Sequence, residues 1–178
     1  MQYTIDSLKI FCTGNPKRQT VAYSLQDRCD YASQSAGWDF TDPLTLDRFR
    51  TNILGYNVFV NSSYIGSGVQ LTLMNIAYQA WMQKNIRGHI ITIGTTLEYS
   101  SDTSQYAIDK RALKQRSLEL SDQTGITGVK STYLILGGIN NGEPENSTYV
   151  IPHHVASSIF WVLSQDCRVP LLQLEGIK

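Results

Sequence analysis

The chain has 178 residues with 15 basic and 15 acidic side chains, a formal net charge of zero, and is 42% hydrophobic and 17% charged. That size and composition predict one globular domain with a core of its own, and the even charge balance argues against a nucleic-acid or membrane surface. Three widely spaced cysteines, Cys12, Cys29 and Cys167, predict neither a disulfide framework nor a zinc site.

No run of 18 apolar residues occurs, so no membrane span is expected. MQYTIDSLKIF lacks a basic start followed by a long apolar run, so a cytoplasmic location without a secretory signal is expected. On that reading Asn61-Ser62-Ser63 and Asn146-Ser147-Thr148 match the glycosylation pattern by chance. Short apolar runs alternate with segments of helical period, which predicts βαβ units and a parallel sheet. Residues 8–12 (LKIFC) predict a first strand ending at Thr13-Gly14, and 20–28 a helix. Residues 29–32 predict a brief second strand and 38–40 a third, with Thr41-Asp42-Pro43 opening a helix over 44–52. YNVFV at 56–60 predicts a buried strand, and 68–84 a long helix with Leu71, Met74, Tyr78 and Trp81 at helical spacing. GHIITI at 88–93 predicts the next strand, and 104–124 a helix with Gly125 as its C-cap. Residues 129–136 predict a strand ending in Gly137-Gly138, 152–164 a helix with Pro152 in its first turn, and 169–174 a closing strand.

Tyr106 and Lys110 lie four apart, hence on one face of the predicted helix. A phenol titrates near pH 10 and is a weak proton donor at neutrality; a neighbouring ammonium favours the phenolate. Bringing the group to neutrality takes roughly 4 kcal/mol. Alone, this spacing also reads as a surface lysine beside an interface tyrosine. The adjacent histidines, His153-His154, diverge on a helix and read as a surface pair rather than metal ligands.

The run GHIITIGTT, then after a short gap QYAIDKRALKQRSLELSDQTGITGVKSTYLILGG, resembles the short-chain dehydrogenase/reductase family. There a strand ending in serine precedes a YxxxK helix, a Gly-Ile turn, a strand and a Pro-Gly. Tyr106-Ala107-Ile108-Asp109-Lys110-Arg111-Ala112-Leu113 is similar to the family's YxxxKxAL helix. Thr95 is similar to the catalytic serine position, and Asn75 to the helix asparagine of the family's tetrad. Val58-Phe59-Val60-Asn61-Ser62-Ser63 is similar to the strand and NNAG turn beside the cofactor, and Asp39-Phe40-Thr41-Asp42 to the aspartate turn near adenine. The resemblance runs in order from Leu8 to Gly176. It implies a single Rossmann-type α/β domain over residues 1–178, a doubly wound parallel sheet flanked by helices. It implies an NAD(P)-dependent oxidoreductase acting on a small-molecule carbonyl or alcohol. Tyr106 would give a proton to the carbonyl, Lys110 would lower its pKa and hold the nicotinamide ribose, Thr95 would orient the carbonyl oxygen, and Asn75 would support a relay water. Implied cofactor contacts are Thr13, Gly14, Asn15, Lys17, Arg18, Asp39, Asn61, Ser62, Lys110 and Gly138, with NADP expected, NAD as the other possibility and no metal.

The family's first turn, TGxxxGxG, is here Thr13-Gly14-Asn15-Pro16-Lys17-Arg18-Gln19-Thr20. The later glycines, which let backbone approach a pyrophosphate, are absent, so side chains there should obstruct a dinucleotide placed in the usual way. Lys17 and Arg18 are instead placed to meet a 2′-phosphate, or form a solvated loop. These departures keep a second expectation open: a catalytically inactive Rossmann-type protein that binds or senses a dinucleotide. On 68–84, Leu73, Ala77 and Ala80 fall away from the first apolar stripe, which, with the resemblance, predicts a homodimer or homotetramer built on that helix and on 104–124.

Overall fold

The computed structural model describes residues 7–16, 20–25, 27–66, 68–139 and 149–176. Six strands form its sheet: β1 (Ile10–Thr13), β2 (Cys29–Ala32), β3 (Val58–Asn61), β4 (His89–Thr95), β5 (Lys130–Leu136) and β6 (Leu171–Leu174). They lie in the order β2-β1-β3-β4-β5-β6, every neighbouring pair parallel. The α-helices are α1 (Val21–Ser24), α2 (Pro43–Asn52), α3 (Val69–Gln83), α4 (Gln105–Asp122), α5 (Thr124–Thr127) and α6 (Pro152–Ser164). This is the doubly wound, Rossmann-type arrangement.

The sheet is covered on both sides, which is why its central strands are near-continuous apolar runs. Ile10, Cys12, Val58, Val60, Ile91 and Leu134 share an aliphatic layer with Val21 of α1 and Val155 and Ile159 of α6. The alternate residues Phe11, Phe59, Ile90 and Tyr133 pack with Phe49, Met74, Trp81 and Leu113 of α2, α3 and α4. From β1 the chain steps outward to β2, then crosses back to β3 on β1's other side. A crevice at the carboxyl ends of β1 and β3 therefore lies at the reversal, where open α/β sheets bind ligands.

Four sequence expectations are corrected. The helix expected over 20–28 is a single turn: Thr20 caps it by accepting from the Tyr23 amide, and the Leu25 and Arg28 amides fall back into tight turns that deliver the chain to β2. No strand forms over 38–40. Gly37, at φ 78°, reverses the chain, and Trp38 and Phe40 plug the core under α2 instead, with ring centroids 5.5 Å from Phe11 and 5.9 Å from Phe49. Gly125 sits inside α5, and Gly128, at φ 73°, is the left-handed cap. Finally, Leu73, Ala77 and Ala80 are buried within the chain, in the same core as Met74 and Trp81. Helix α3 is apolar around most of its circumference because α2, α4 and the sheet surround it, so those residues leave no bare face for a second subunit.

Candidate active site

Thr95 is the last residue of β4 and the N-cap of a single 3-10 turn, Thr96–Tyr99, its Oγ1 accepting from the Leu97 amide at 3.3 Å. Ser104 caps α4 by accepting from the Ala107 amide at 3.3 Å, which fixes the register of the helix's first turn. Tyr106 and Lys110 then face the end of β4. The Thr95 side chain lies near enough to the Tyr106 hydroxyl to favour its phenolate. Lys110 is buried, with Nζ 5.4 Å from the Tyr106 ring centroid, donating to Gln70 Oε1 at 2.7 Å and to the Ile93 carbonyl at 2.8 Å. Tyr64, in the turn after β3, packs edge-on against Tyr106 at 4.7 Å and donates to Asp109 Oδ2 at 3.0 Å.

Thr95, Tyr106 and Lys110 are therefore brought together, and Asn75 is not among them. Its Oδ1 accepts from Arg116 Nε at 2.9 Å on the seam between α3 and α4. Gln70, five residues earlier on α3, makes the lysine contact. The electrostatics also differ from expectation. Burial pushes the Tyr106 hydroxyl above its ordinary value, the Thr95 side chain opposes this, and the Glu98 carboxylate adds to it. Burial lowers Lys110 to about 8, with Glu98 and Asp109 holding it from falling further.

Behind these groups lies a buried network that sequence reasoning missed. Tyr133 on β5 donates to Glu98 Oε2 at 2.8 Å and to the Lys110 carbonyl at 3.1 Å. Glu98 Oε1 pairs with Lys114 Nζ at 2.8 Å, and the carboxylate side chain is only 1% exposed. The Tyr133 ring occupies the space beside Gly94, where a Cβ would fall 2.3 Å from ring atoms; that is why β4 carries a glycine one residue before Thr95.

Toward the sheet reversal, Thr13 Oγ1 accepts from the amides of Ser62 at 3.0 Å and Ser63 at 3.3 Å, and Ser62 Oγ donates to the Thr13 carbonyl. Gly14 adopts φ 145°, and a Cβ there would meet Ala22 Cβ at 2.9 Å and Ser62 Oγ at 3.1 Å. Bare backbone thus lies between α1 and the turn after β3. The Asn15 carbonyl accepts from Thr20 Oγ1 at 3.0 Å. Asn61 Nδ2 donates to the Gln70 carbonyl at 2.8 Å, while its Oδ1 is buried with no partner among the described residues. Lys17 and Arg18 lie outside the described residues. Asp39 is exposed and accepts from the Thr41 amide and hydroxyl, which hold its carboxyl below the usual range. Gly138, after β5, packs under the Tyr149 ring and accepts from the Val150 amide at 3.0 Å.

A cleft of about 740 Å³ opens at the opposite end of the sheet, lined by Lys9, Arg28, Asp30 and Tyr56 among others. It lies at the amino ends of the strands, away from the Thr95–Tyr106 pair. No described helix is long and apolar enough to cross a membrane.

No protein-family model matches the sequence, and no curated protein matches it. Solved structures do. A short-chain dehydrogenase from Leptospira borgpetersenii serovar Hardjo-bovis with bound NAD+ is similar at TM-score 0.75 and 12% identity, over 99% of this chain and 95% of that one. A metagenomic short-chain oxidoreductase in complex with NADP gives 0.73 and 14%, over 97% and 98%. A short-chain dehydrogenase from Sphingobium yanoikuyae in complex with NADPH gives 0.72 and 11%, over 93% and 87%. The chain has the fold of the short-chain dehydrogenases in a divergent sequence.

Proposed function

We propose that this protein is an NAD(P)-dependent oxidoreductase that reduces a small carbonyl compound, or runs the reverse alcohol oxidation, with NADPH as the preferred donor. The observation that carries this reading is the Thr95–Tyr106 hydroxyl pair with Lys110 beside it, at the carboxyl end of a central parallel strand.

The residues present fit a dinucleotide. Gly14 offers a stretch of backbone that a side chain would fill, and Asn61 Oδ1 is a buried acceptor still lacking a donor. Thr13, Gly14, Asn15 and Ser62 would hold the diphosphate side, Asp39 the adenine side, and Lys110 and Gly138 the nicotinamide side. An acidic group at the end of the second strand favours the ribose of NAD. Here that strand ends in Ala32, with Ser33 next, and Asp30 is occupied by the Tyr56 hydroxyl at 2.9 Å. With Lys17 and Arg18 in the first turn, this favours a 2′-phosphate. When bound, a reduced nicotinamide supplies the hydride. Tyr106 Oη gives its proton to the carbonyl oxygen, Thr95 Oγ1 holds that same oxygen, and Gln70 anchors Lys110.

The one-turn α1 favours a second reading, a dinucleotide-binding protein without turnover. NADPH fluorescence on titration, followed by turnover with a panel of aldehydes and ketones, separates the two. Saturable binding with turnover is expected; binding alone selects the second reading, and no binding of NADPH or NADH defeats both. Removing the charges of Lys17 and Arg18 together should weaken NADPH binding more than NADH binding, and equal losses would remove the NADP preference.

A further inference from the structure

We propose that Glu98 is a positioning residue of this site: its carboxylate bolts the turn that carries Thr95 onto α4 and β5, and its charge bears on the Tyr106 hydroxyl that those elements position. The inference rests on the proposed acid–base role of Tyr106.

Three elements must agree for Thr95, Tyr106 and Lys110 to meet: the end of β4, the first turns of α4, and β5 beneath them. Glu98 touches all three. It stands on the 3-10 turn that Thr95 caps. Its Oε1 pairs with Lys114, one turn beyond Lys110 on α4, and its Oε2 accepts from Tyr133 on β5, whose hydroxyl also reaches the Lys110 carbonyl. A side chain 1% exposed, ion-paired through Oε1 and hydrogen-bonded through Oε2, cannot rearrange without breaking these links, and removing one partner of such a pair is costly. It is too enclosed to meet a substrate, so its effect on chemistry passes through the groups it holds.

Its charge acts on them as well. In a buried site a carboxylate opposes the formation of a second anion and favours a cation. Glu98 therefore disfavours the Tyr106 phenolate and favours the Lys110 ammonium. The other titratable groups around Tyr106 are Lys110, Asp109 and Lys114 on α4, Tyr64 after β3, Tyr99 beside Glu98, and Tyr133 on β5. Among them, Glu98 is the buried carboxylate that joins all three of the site's elements. The consequence is a Tyr106 hydroxyl kept in its protonated form in the free protein.

The test is a carbon NMR titration of the free protein labelled at tyrosine Cζ, with Tyr106 assigned by its loss in Tyr106→Phe. Glu98→Gln keeps the shape and an acceptor for Tyr133 but removes the charge. The Tyr106 midpoint should move to lower pH in Glu98→Gln and return toward the wild-type position in Glu98→Asp, with Lys110 also losing its proton at lower pH in the glutamine variant. A folded Glu98→Gln protein with an unmoved Tyr106 midpoint overturns the proposal. If that variant does not fold, the Tyr106 midpoint in Glu98→Asp, whose carboxylate is drawn back by one methylene, must lie below the wild-type position; an unmoved midpoint there overturns the proposal equally. Neither readout requires turnover. A shifted midpoint in a protein that reduces nothing would defeat the reductase reading and leave the role of Glu98 standing.

Discussion

The two flanks of the candidate site are held in different ways. Around β4, α4 and β5, Thr95, Tyr106 and Lys110 are pinned by buried side chains, with Gln70, Glu98 and Tyr133 each bonded to more than one neighbour. Around β1, the flank consists mostly of backbone: the Thr13–Ser62–Ser63 tie, a bare Gly14 and a helix of one turn. Under the proposed function, the difference matches what each flank would have to do. Proton transfer slows sharply when reacting groups are misplaced by about 1 Å, which an over-determined flank would prevent. A diphosphate contact spreads over several amides and tolerates a looser frame.

The largest effect expected from this contrast is chemical. Tyr106→Phe should lower turnover about 10³-fold, equivalent to roughly 4 kcal/mol, while NADPH affinity and near-ultraviolet circular dichroism stay near wild type. A rate within a few-fold of wild type would place the proton donor elsewhere. Next comes the packing of the same flank. Gly94→Ala inserts a Cβ 2.3 Å from the Tyr133 ring in a fully buried layer, and should cost about 3 kcal/mol of stability in denaturant unfolding. An unchanged unfolding midpoint would mean that this flank is less tightly packed than described.

The third prediction uses pH. His89 on β4 is buried, and burial, with Lys130 nearby, lowers its pKa to about 3. Thr132 Oγ1 donates to the Val169 carbonyl at 2.6 Å, so at 2.8 Å from His89 Nε2 it accepts, and the imidazole is the neutral Nε2–H tautomer. The unfolded chain takes up this proton below about 6.5, the folded chain not until about 3. Stability is therefore full above the unfolded value and is lost as pH falls through that window. Unfolding free energy should drop by roughly 2 to 3 kcal/mol between about pH 7.5 and 4.5 from this group, and His89→Gln should flatten that slope. The smallest effect belongs to the β1 flank: Thr20→Ala removes the cap of α1 and should cost about 1 kcal/mol. If it instead abolished NADPH binding with the fold intact, the looser flank would be the more demanding of the two.

The strands and long helices were legible because burial on two faces writes continuous apolar runs and helical spacing into the sequence. Cys29–Ala32 and Pro152–Ser164 fall where patterning places them. Trp38-Asp39-Phe40 reads as a strand by alternation alone; only the neighbouring rings of Phe11 and Phe49 and the turn at Gly37 decide otherwise. The pairing of Tyr106 with Lys110 was visible as a local spacing. Gln70 and Glu98 were not, since their partners lie on other elements. The available signals were weak ones: a glutamine in the first turn of a largely apolar helix, and a lone acid in Thr96-Leu97-Glu98-Tyr99.

The unequal make-up of the two core layers has an optical consequence. Trp38 and Trp81 lie buried in the layer with the phenylalanines, at 5% and 0% exposure, while Trp161 sits on α6 across the sheet at 51%. Emission from the first two should be blue-shifted and sheltered from iodide, and emission from the third red-shifted and quenched. Ellipticity from immobilised rings will report almost wholly on the layer under α2, α3 and α4. The aliphatic layer under α1 and α6 is nearly dark to that probe, so its loosening has to be followed through Trp161.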